Sequence, residues 1–424
     1  MRDQFRSVVH WHNDVRRQVI LSATTPKDLI TLLVTFEVPG PERLADDGLW
    51  RNACARFDYD RLDRTTGHHS MIPPNGPNAW RTHFKKWANM RFESRDKLKA
   101  AIENYNPSAL PAEGPMSTWD VSGVTDMSNL FQDELDFNEP IWQWDVSNVE
   151  NMSRMFLNAR SFDQPLAWDV SNVTKMERMF ENAVNFNQDL FWSVSKVVNM
   201  RRMFCNASFF NGSLVNWDVS GVIDMGAMFQ HALSFNNGTQ PLNWDVIQVR
   251  DMEAMFERAI SFNQSLNWNV SSVLKMDDMF RSATSFNRDL SHWDVSNVES
   301  MQSMFEGASN FNGSLAWGNR VSKVQNMMAM FASAKSFNHD LNEWNVSNVW
   351  NMDGMFAEAT AFNNGGNPLT WNVRSLFTAD GMFHNTALHH NQVQLVQADD
   401  AEQAGSQSNP VVDGEGDGEE STTI

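Results

Sequence analysis

Four arginines are the residues of this sequence best suited to binding an anionic group. Arg154, Arg178 and Arg202 lie 24 residues apart, and Arg201 is adjacent to the last of them. Guanidinium groups bind carboxylates and phosphates through paired hydrogen bonds, and Arg is enriched at the centres of protein interfaces. A fold that brings these side chains onto one surface would create a basic stripe for an acidic protein partner. The alternative, which is favoured, is a solvated surface on which the arginines pair with neighbouring glutamates.

Tryptophans recur at intervals of 24 to 27 residues, and their indole faces offer a second possible chemistry, the stacking of sugar rings. Trp144, Trp168 and Trp192 are consecutive members of this series. Each is followed two residues later by a Val, a pattern that points both side chains inward, and indole is among the largest apolar groups available to a core. A buried structural ladder is therefore favoured, and a glycan-binding adhesin that uses the Trp ladder is an alternative. The series consists of Trp119, Trp144, Trp168, Trp192, Trp217, Trp244, Trp268, Trp293, Trp317, Trp344 and Trp371.

The elements that must position these residues are repeats, each starting at a Trp. In the repeat that starts at Trp144, apolar residues between Val149 and Ala159 are three or four residues apart, which is typical of one helix face. Ser147 precedes them and has Glu150 three residues after it, as in a helix capping box. The residues around Trp144 alternate between apolar and polar, which favours a short strand. The sequence predicts a short strand, a tight turn, about three helical turns and a loop in each repeat.

Other columns of the repeat are best explained by structure. Asn187, Asn211 and Asn263 belong to a series of asparagines that follow a loop Phe, and their amides are expected to bind backbone groups at each turn, with a ligand role as the alternative. Met155 and Phe156 belong to columns that we expect to fill the core. One repeat cannot bury enough apolar surface to fold alone, so neighbouring repeats must stack.

The repeat string resembles a known family. Trp-Asp-Val-Ser-Asn-Val, followed by Met-x-x-Met-Phe-x-x-Ala and Phe-Asn, is similar to the BspA-type bacterial surface-protein repeat, a relative of leucine-rich repeats. Residues 144–156 and 293–305 match it most closely, and the resemblance covers about residues 116–388. It implies an α/β repeat solenoid of about eleven units that serves in surface display, adhesion or protein recognition, with no catalytic residues.

Residues 1–110 carry no repeat and are expected to form a small helical N-terminal domain, with one of its helices at residues 95–105. Residues 46–57 and 80–84 faintly resemble F-box-like domains, which implies an alternative function as the substrate receptor of a ubiquitin ligase. A helical cap without a partner is favoured over that alternative. Residues 389–424 are acidic and are predicted to be a disordered tail.

Charge and composition limit the function further. Residues 1–110 have a net charge of +4, whereas the whole chain of 424 residues has −19, so the repeats are strongly acidic and nucleic-acid binding is disfavoured. The two cysteines are too few and too far apart for a zinc site, and no catalytic motif is recognisable, so we expect neither a cofactor nor a metal and no enzyme.

No signal peptide or membrane-spanning stretch is recognisable in the sequence, which favours a cytoplasmic location over the cell surface that the resemblance implies. The sequence therefore predicts a scaffold that binds a protein partner of unknown identity. Its oligomeric state is not indicated.

Overall fold

The chain is a repeat protein, and a computed structural model describes its residues 90–106 and 115–396. The predictions for residues 1–89, including the F-box-like resemblance, lie outside the described residues. Of the described residues, 90–91, 105–106 and 115–120 belong to one compact unit, and 92–104 and 121–396 belong to another. In the smaller unit, Arg91 forms a parallel bridge with Asp120, and the ring of Tyr105 packs edge-on against that of Trp119.

The predicted helix at residues 95–105 is confirmed as helix α1, Arg95–Glu103. Ser94 caps its N-terminus, with a side chain that accepts a hydrogen bond from a backbone N–H of the first turn. Leu98 and Ile102, one helical turn apart, are its buried residues. No helix in the described part of the chain has the length and apolar character needed to cross a membrane.

Regular elements are few and short in the rest of the described chain. Strands β1 and β2 pair in parallel, with β2 inside the segment predicted to be a disordered tail, so any such tail begins after residue 396. The strands are β1, Leu369–Asn372, and β2, Val393–Val396; the 3-10 helices are Met116–Thr118, Asn237–Thr239, Gly318–Val321, Asn364–Gly366 and His390–Gln392.

Neighbouring repeats are joined backbone to backbone. Between Asp126 and Thr378, one residue of every repeat forms an isolated parallel bridge to the equivalent residue of the next. Three backbone N–H groups of one repeat each donate a hydrogen bond of 2.9 Å to a carbonyl of the following repeat. They belong to Arg154, Phe156 and Asn158. The backbone polar groups of one repeat are therefore satisfied by the next, as burial requires.

The predicted helix of about three turns in each repeat is wrong. Residues 152–159 form successive turns, in which the Met155 N–H donates to the Met152 carbonyl, three residues back. Arg154 and Asn158 adopt left-handed backbone, with φ of 59° and 63°, which an α-helix does not allow. Such turns bring residues i and i+3 to the same inner side, so their apolar spacing imitates that of a helix face.

Ser147 is not a helix cap. Its backbone N–H and its hydroxyl both donate to the Asp145 carboxylate, at 3.1 and 2.7 Å, which closes a short Asx turn. Asp169 makes the same turn with Ser171, and these hydrogen bonds hold the pKa of Asp169 below its ordinary value. The Asp that follows the Trp thus serves a turn. The predicted short strand at the Trp of each repeat is wrong for the described repeats before the last, which alone has it, as β1.

Candidate binding surface

The Trp ladder lies in the core. Trp168 and Trp192 stack with their ring centroids 6.4 Å apart, and both are buried. The Trp192 indole N–H donates to the Leu166 carbonyl at 2.9 Å, and Trp168 makes the equivalent bond to Ile141. Because both faces and the polar edge of the indole are occupied by the protein, the alternative of a glycan-binding Trp platform is wrong. Trp144 is buried as well.

The Asn and Met columns are part of the repeat framework. The Asn187 Oδ1 atom accepts a hydrogen bond from the Asn211 N–H at 2.8 Å, and Asn263 accepts from Asn287 at 3.1 Å. Met155 and Phe156 are completely buried. Each asparagine side chain therefore replaces a backbone acceptor for the next repeat, and the methionines and phenylalanines fill the interior.

Two of the four candidate arginines meet on one buried carboxylate. Arg178 and Arg202 both form ion pairs with Glu181, whose side chain is only 3% exposed. The Arg202 Nη2 atom lies 2.9 Å from Glu181 Oε1. Burial alone would raise the pKa of Glu181, but the hydrogen bonds from the two guanidinium groups hold it below its ordinary value. We call Arg178, Arg202 and Glu181 the arginine cluster.

The other two arginines face different carboxylates. Arg154 lies 3.4 Å from Glu177. Arg201 reaches two repeats along the array, to Asp251 at 3.4 Å and Glu253 at 3.3 Å. All four arginine side chains are partly exposed, and each forms an ion pair with a carboxylate of the protein. This is the arrangement expected of a solvated surface of ion pairs. The role of the arginines in partner binding stays a prediction.

A second charged region contains more carboxylates than cations. Asp278 lies near Glu257, Asp277 and Glu306, with Arg281 as the neighbouring cation at 3.6 Å. Burial and these like charges raise the pKa of Asp278 to about 6. We call these four carboxylates the carboxylate cluster. Within residues 90–106 and 115–396, no three His, Cys, Asp or Glu side chains are arranged to hold a metal ion.

A column of exposed apolar residues, which we call the outer column, is not among the residues predicted from the sequence. It lies six residues after each Trp, or eight in the repeat of Trp317, between a Val, or Leu376 in the last repeat, and the bridging residue. The signal was present in the sequence, because this position varies while the residue before it is Val in ten of the eleven repeats. Its exposed apolar members are Val198, Ile223, Leu274, Trp350 and Phe377.

Backbone hydrogen bonds hold the outer column in line. The Ile223 N–H donates to the Val198 carbonyl at 2.9 Å, and the Phe377 N–H donates to the Trp350 carbonyl at the same distance. Residues paired in this way lie about 5 Å apart, so their side chains stand next to each other. Phe377 is 75% exposed and Trp350 is 44% exposed, which places two large aromatic side chains together at the surface.

Four overlapping segments of the chain match the family described as Mycoplasma protein of unknown function, DUF285. The matched segments are residues 97–191, 190–267, 238–320 and 316–395, which together run from within α1, through all the repeats, into β2. No curated protein matches the chain.

Proposed function

The chain belongs to the family described as Mycoplasma protein of unknown function, DUF285, and we propose that it is a non-enzymatic scaffold that binds a protein partner. In this proposal the repeats form a solenoid whose inward columns hold the fold and whose outward columns recognise the partner. The unbroken series of parallel bridges from Asp126 to Thr378 supports the solenoid. The resemblance to BspA-type repeats favours a role in surface recognition or adhesion.

The outer column is the observation that carries the proposal. Stacking does not require apolar residues there, because Glu150, Arg250 and Glu299 occupy the same position in other repeats. Exposed aromatic and aliphatic side chains that the fold does not need are costly in water unless a partner covers them. We therefore assign them to partner binding.

Trp350 and Phe377 are the expected anchors of the interface. Aromatic side chains bury the largest apolar area per residue, and a few such residues dominate the energy of most protein interfaces. The two lie on adjacent repeats whose backbones are hydrogen-bonded at this position, so the surface is formed before the partner arrives. The partner should present an apolar surface to this pair.

The test places a photo-reactive phenylalanine analogue at Phe377 in the full chain, in its source cells, and identifies the proteins that it cross-links. Phe191, which is 70% exposed and lies outside the outer column, is the matched control. We expect a discrete cross-linked protein at Phe377 and none of it at Phe191. Trp350→Ala with Phe377→Ala should then abolish binding of that protein without lowering Tm. The same cross-linked proteins at both positions would contradict the proposal.

A further inference from the structure

The outward side chains of six consecutive turn segments form one charged surface, which we call the turn face. It belongs to the six repeats from that of Trp144 to that of Trp268. One, four, five and eight residues after each bridging residue, Met, Phe and Ala are buried in the core. The positions in between lie outside the core, and ion pairs join them, such as that between Arg178 and Glu181. These columns therefore share one side of the repeats.

The first three repeats of the turn face, which we call the basic half, have an excess of positive charge. Their cations are Arg154, Lys175, Arg178, Arg201 and Arg202. Their carboxylates are Glu177 and Glu181. Arg178 and Arg202 share the single carboxylate of Glu181, so ion pairs within the chain leave the excess in place.

The next three repeats, which we call the acidic half, have the opposite excess. Their carboxylates are Asp224, Asp251, Glu253, Glu257, Asp277 and Asp278. Their cations are Arg258, Lys275 and Arg281. Burial, together with the neighbouring carboxylates of Glu257 and Asp277, raises the pKa of Asp278 to about 6, which shows that negative charge prevails there. The excess is three charges in each half, with opposite sign.

Charges of the two halves pair where they come within reach of each other. Arg201 of the basic half extends to Asp251 and Glu253 of the acidic half, at 3.4 and 3.3 Å. The turn face as a whole is balanced, whereas the chain carries a net charge of −19. Two copies repel each other through their net charge, but two balanced faces do not add to this repulsion. A second copy can therefore approach the turn face with its own turn face.

We propose that the turn face binds the turn face of a second copy of this chain, antiparallel, about a two-fold axis that passes between the two halves. This axis places the first of the six repeats on the sixth, the second on the fifth and the third on the fourth. Each basic half then faces an acidic half, over a length of roughly 29 Å for six repeats. A parallel arrangement in register would instead place like charges together. The inference does not rest on the partner proposed above, because Trp350 and Phe377 lie in later repeats.

Sedimentation equilibrium of the full chain at micromolar concentration tests this interface. We expect a dimer at about 0.05 M salt, with a Kd that rises about tenfold or more at about 0.5 M salt, because salt screens ion pairs. Arg154→Asp with Lys175→Asp reverses the net charge of the basic half, and Glu253→Arg with Asp278→Arg reverses that of the acidic half. Each of these two variants should raise Kd about a hundredfold, because like halves then face each other.

Each substitution introduces a residue that its column already contains in another repeat. Asp278 occupies the column of Arg154, and Asp251 occupies the column of Lys175. Arg201 and Arg202 occupy the columns of Glu253 and Asp278. The repeats therefore accommodate the new side chains, and Tm should change little.

A mixture of the two variants is the decisive measurement. In a mixed pair, the reversed basic half of one chain faces the reversed acidic half of the other, and the two unaltered halves also face each other. We therefore expect a heterodimer with a Kd close to that of the unaltered chain. Misfolding of either variant could not be reversed by mixing, so a mixture that stays monomeric would overturn the proposal.

The matched control changes the net charge equally outside the turn face. Lys323→Asp with Lys335→Asp alters two exposed residues of a later repeat and should leave Kd unchanged. An equal effect of this control would assign the dimer to net charge and overturn the proposal. A chain that is monomeric at both salt concentrations, or a dimer that the turn-face substitutions leave intact, would overturn it too. Assemblies that grow beyond the dimer would show head-to-tail stacking and contradict the two-fold arrangement.

Discussion

The arginine cluster and the carboxylate cluster occupy the same place in different repeats and have opposite electrostatics. Arg178, Arg202 and Asp278 all lie at the first left-handed position of their repeat, with φ between 56° and 57°. Around Glu181 the neighbouring charges attract and hold the pKa of the carboxylate down. Around Asp278, burial and then three neighbouring carboxylates raise the pKa to about 6, although Arg281 attracts the charge.

In both regions the backbone determines where a side chain lies, and the charge of that side chain is free to differ. The inner side is alike in both regions, since Met203 and Met279, each next to a left-handed residue, are completely buried. Other repeats place Ala329 or Gly354 at the position of the arginines. The repeats therefore stack without the ion pairs. The outer positions are free to vary, and with them the binding specificity.

The largest loss of stability should come from a substitution on the inner side of the repeats, which is alike in both regions. Phe280 is completely buried and stacks between Phe256 and Phe305, at 5.6 and 5.5 Å. Phe280→Ala should lower the free energy of unfolding by about 3–5 kcal/mol, as the loss of a buried aromatic side chain does. Denaturant unfolding measures it, with the exposed Phe191→Ala as control. An equal effect of both substitutions would show that inner and outer columns are not distinct.

An intermediate loss is expected in the arginine cluster. Glu181→Gln removes the charge that two guanidinium groups share, and it should cost about 2–3 kcal/mol at pH 7. Because the folded pKa of Glu181 lies below its ordinary value of 4.5, this stability is present above about pH 4.5 and is lost as the pH falls through the folded pKa. Unfolding measured from pH 3 to 8, beside the exposed Glu299→Gln, checks it. A loss independent of pH would refute the ionic account.

The smallest change in stability, and the only stabilisation, is expected from a substitution in the carboxylate cluster. The folded pKa of Asp278, about 6, lies above its ordinary value of 3.8, so its ionisation costs stability as the pH rises through this range. Asp278→Asn should therefore stabilise the protein by about 1–2 kcal/mol at pH 8 and change little at pH 3.5. Asp169→Asn should not stabilise at pH 8, because the Asp169 pKa is lowered. Destabilisation by Asp278→Asn at pH 8 would show that the pair with Arg281 dominates.

The repeats, the inward columns and α1 can be predicted from the sequence alone. These depend on local periodicity: a Trp, Met or Phe at a fixed place in each repeat must be buried, and Leu98 and Ile102 lie one helical turn apart. The pairing of the arginines with glutamates was also one of the two interpretations that the sequence allowed. The individual partners of the arginines could not be predicted. Arg201 pairs with Asp251 two repeats away, and that contact depends on how far each repeat advances.

That the repeat segments are turns depends on contacts between repeats and could not be predicted from the sequence. The apolar spacing fits a helix face and a run of turns equally well. The choice depends on where alternate N–H groups find acceptors, and those of Arg154 and Phe156 find them in the next repeat, at Glu177 and Met179. The outer column likewise exists only once successive repeats are in register, because backbone bonds between neighbours place Val198 beside Ile223 and Trp350 beside Phe377.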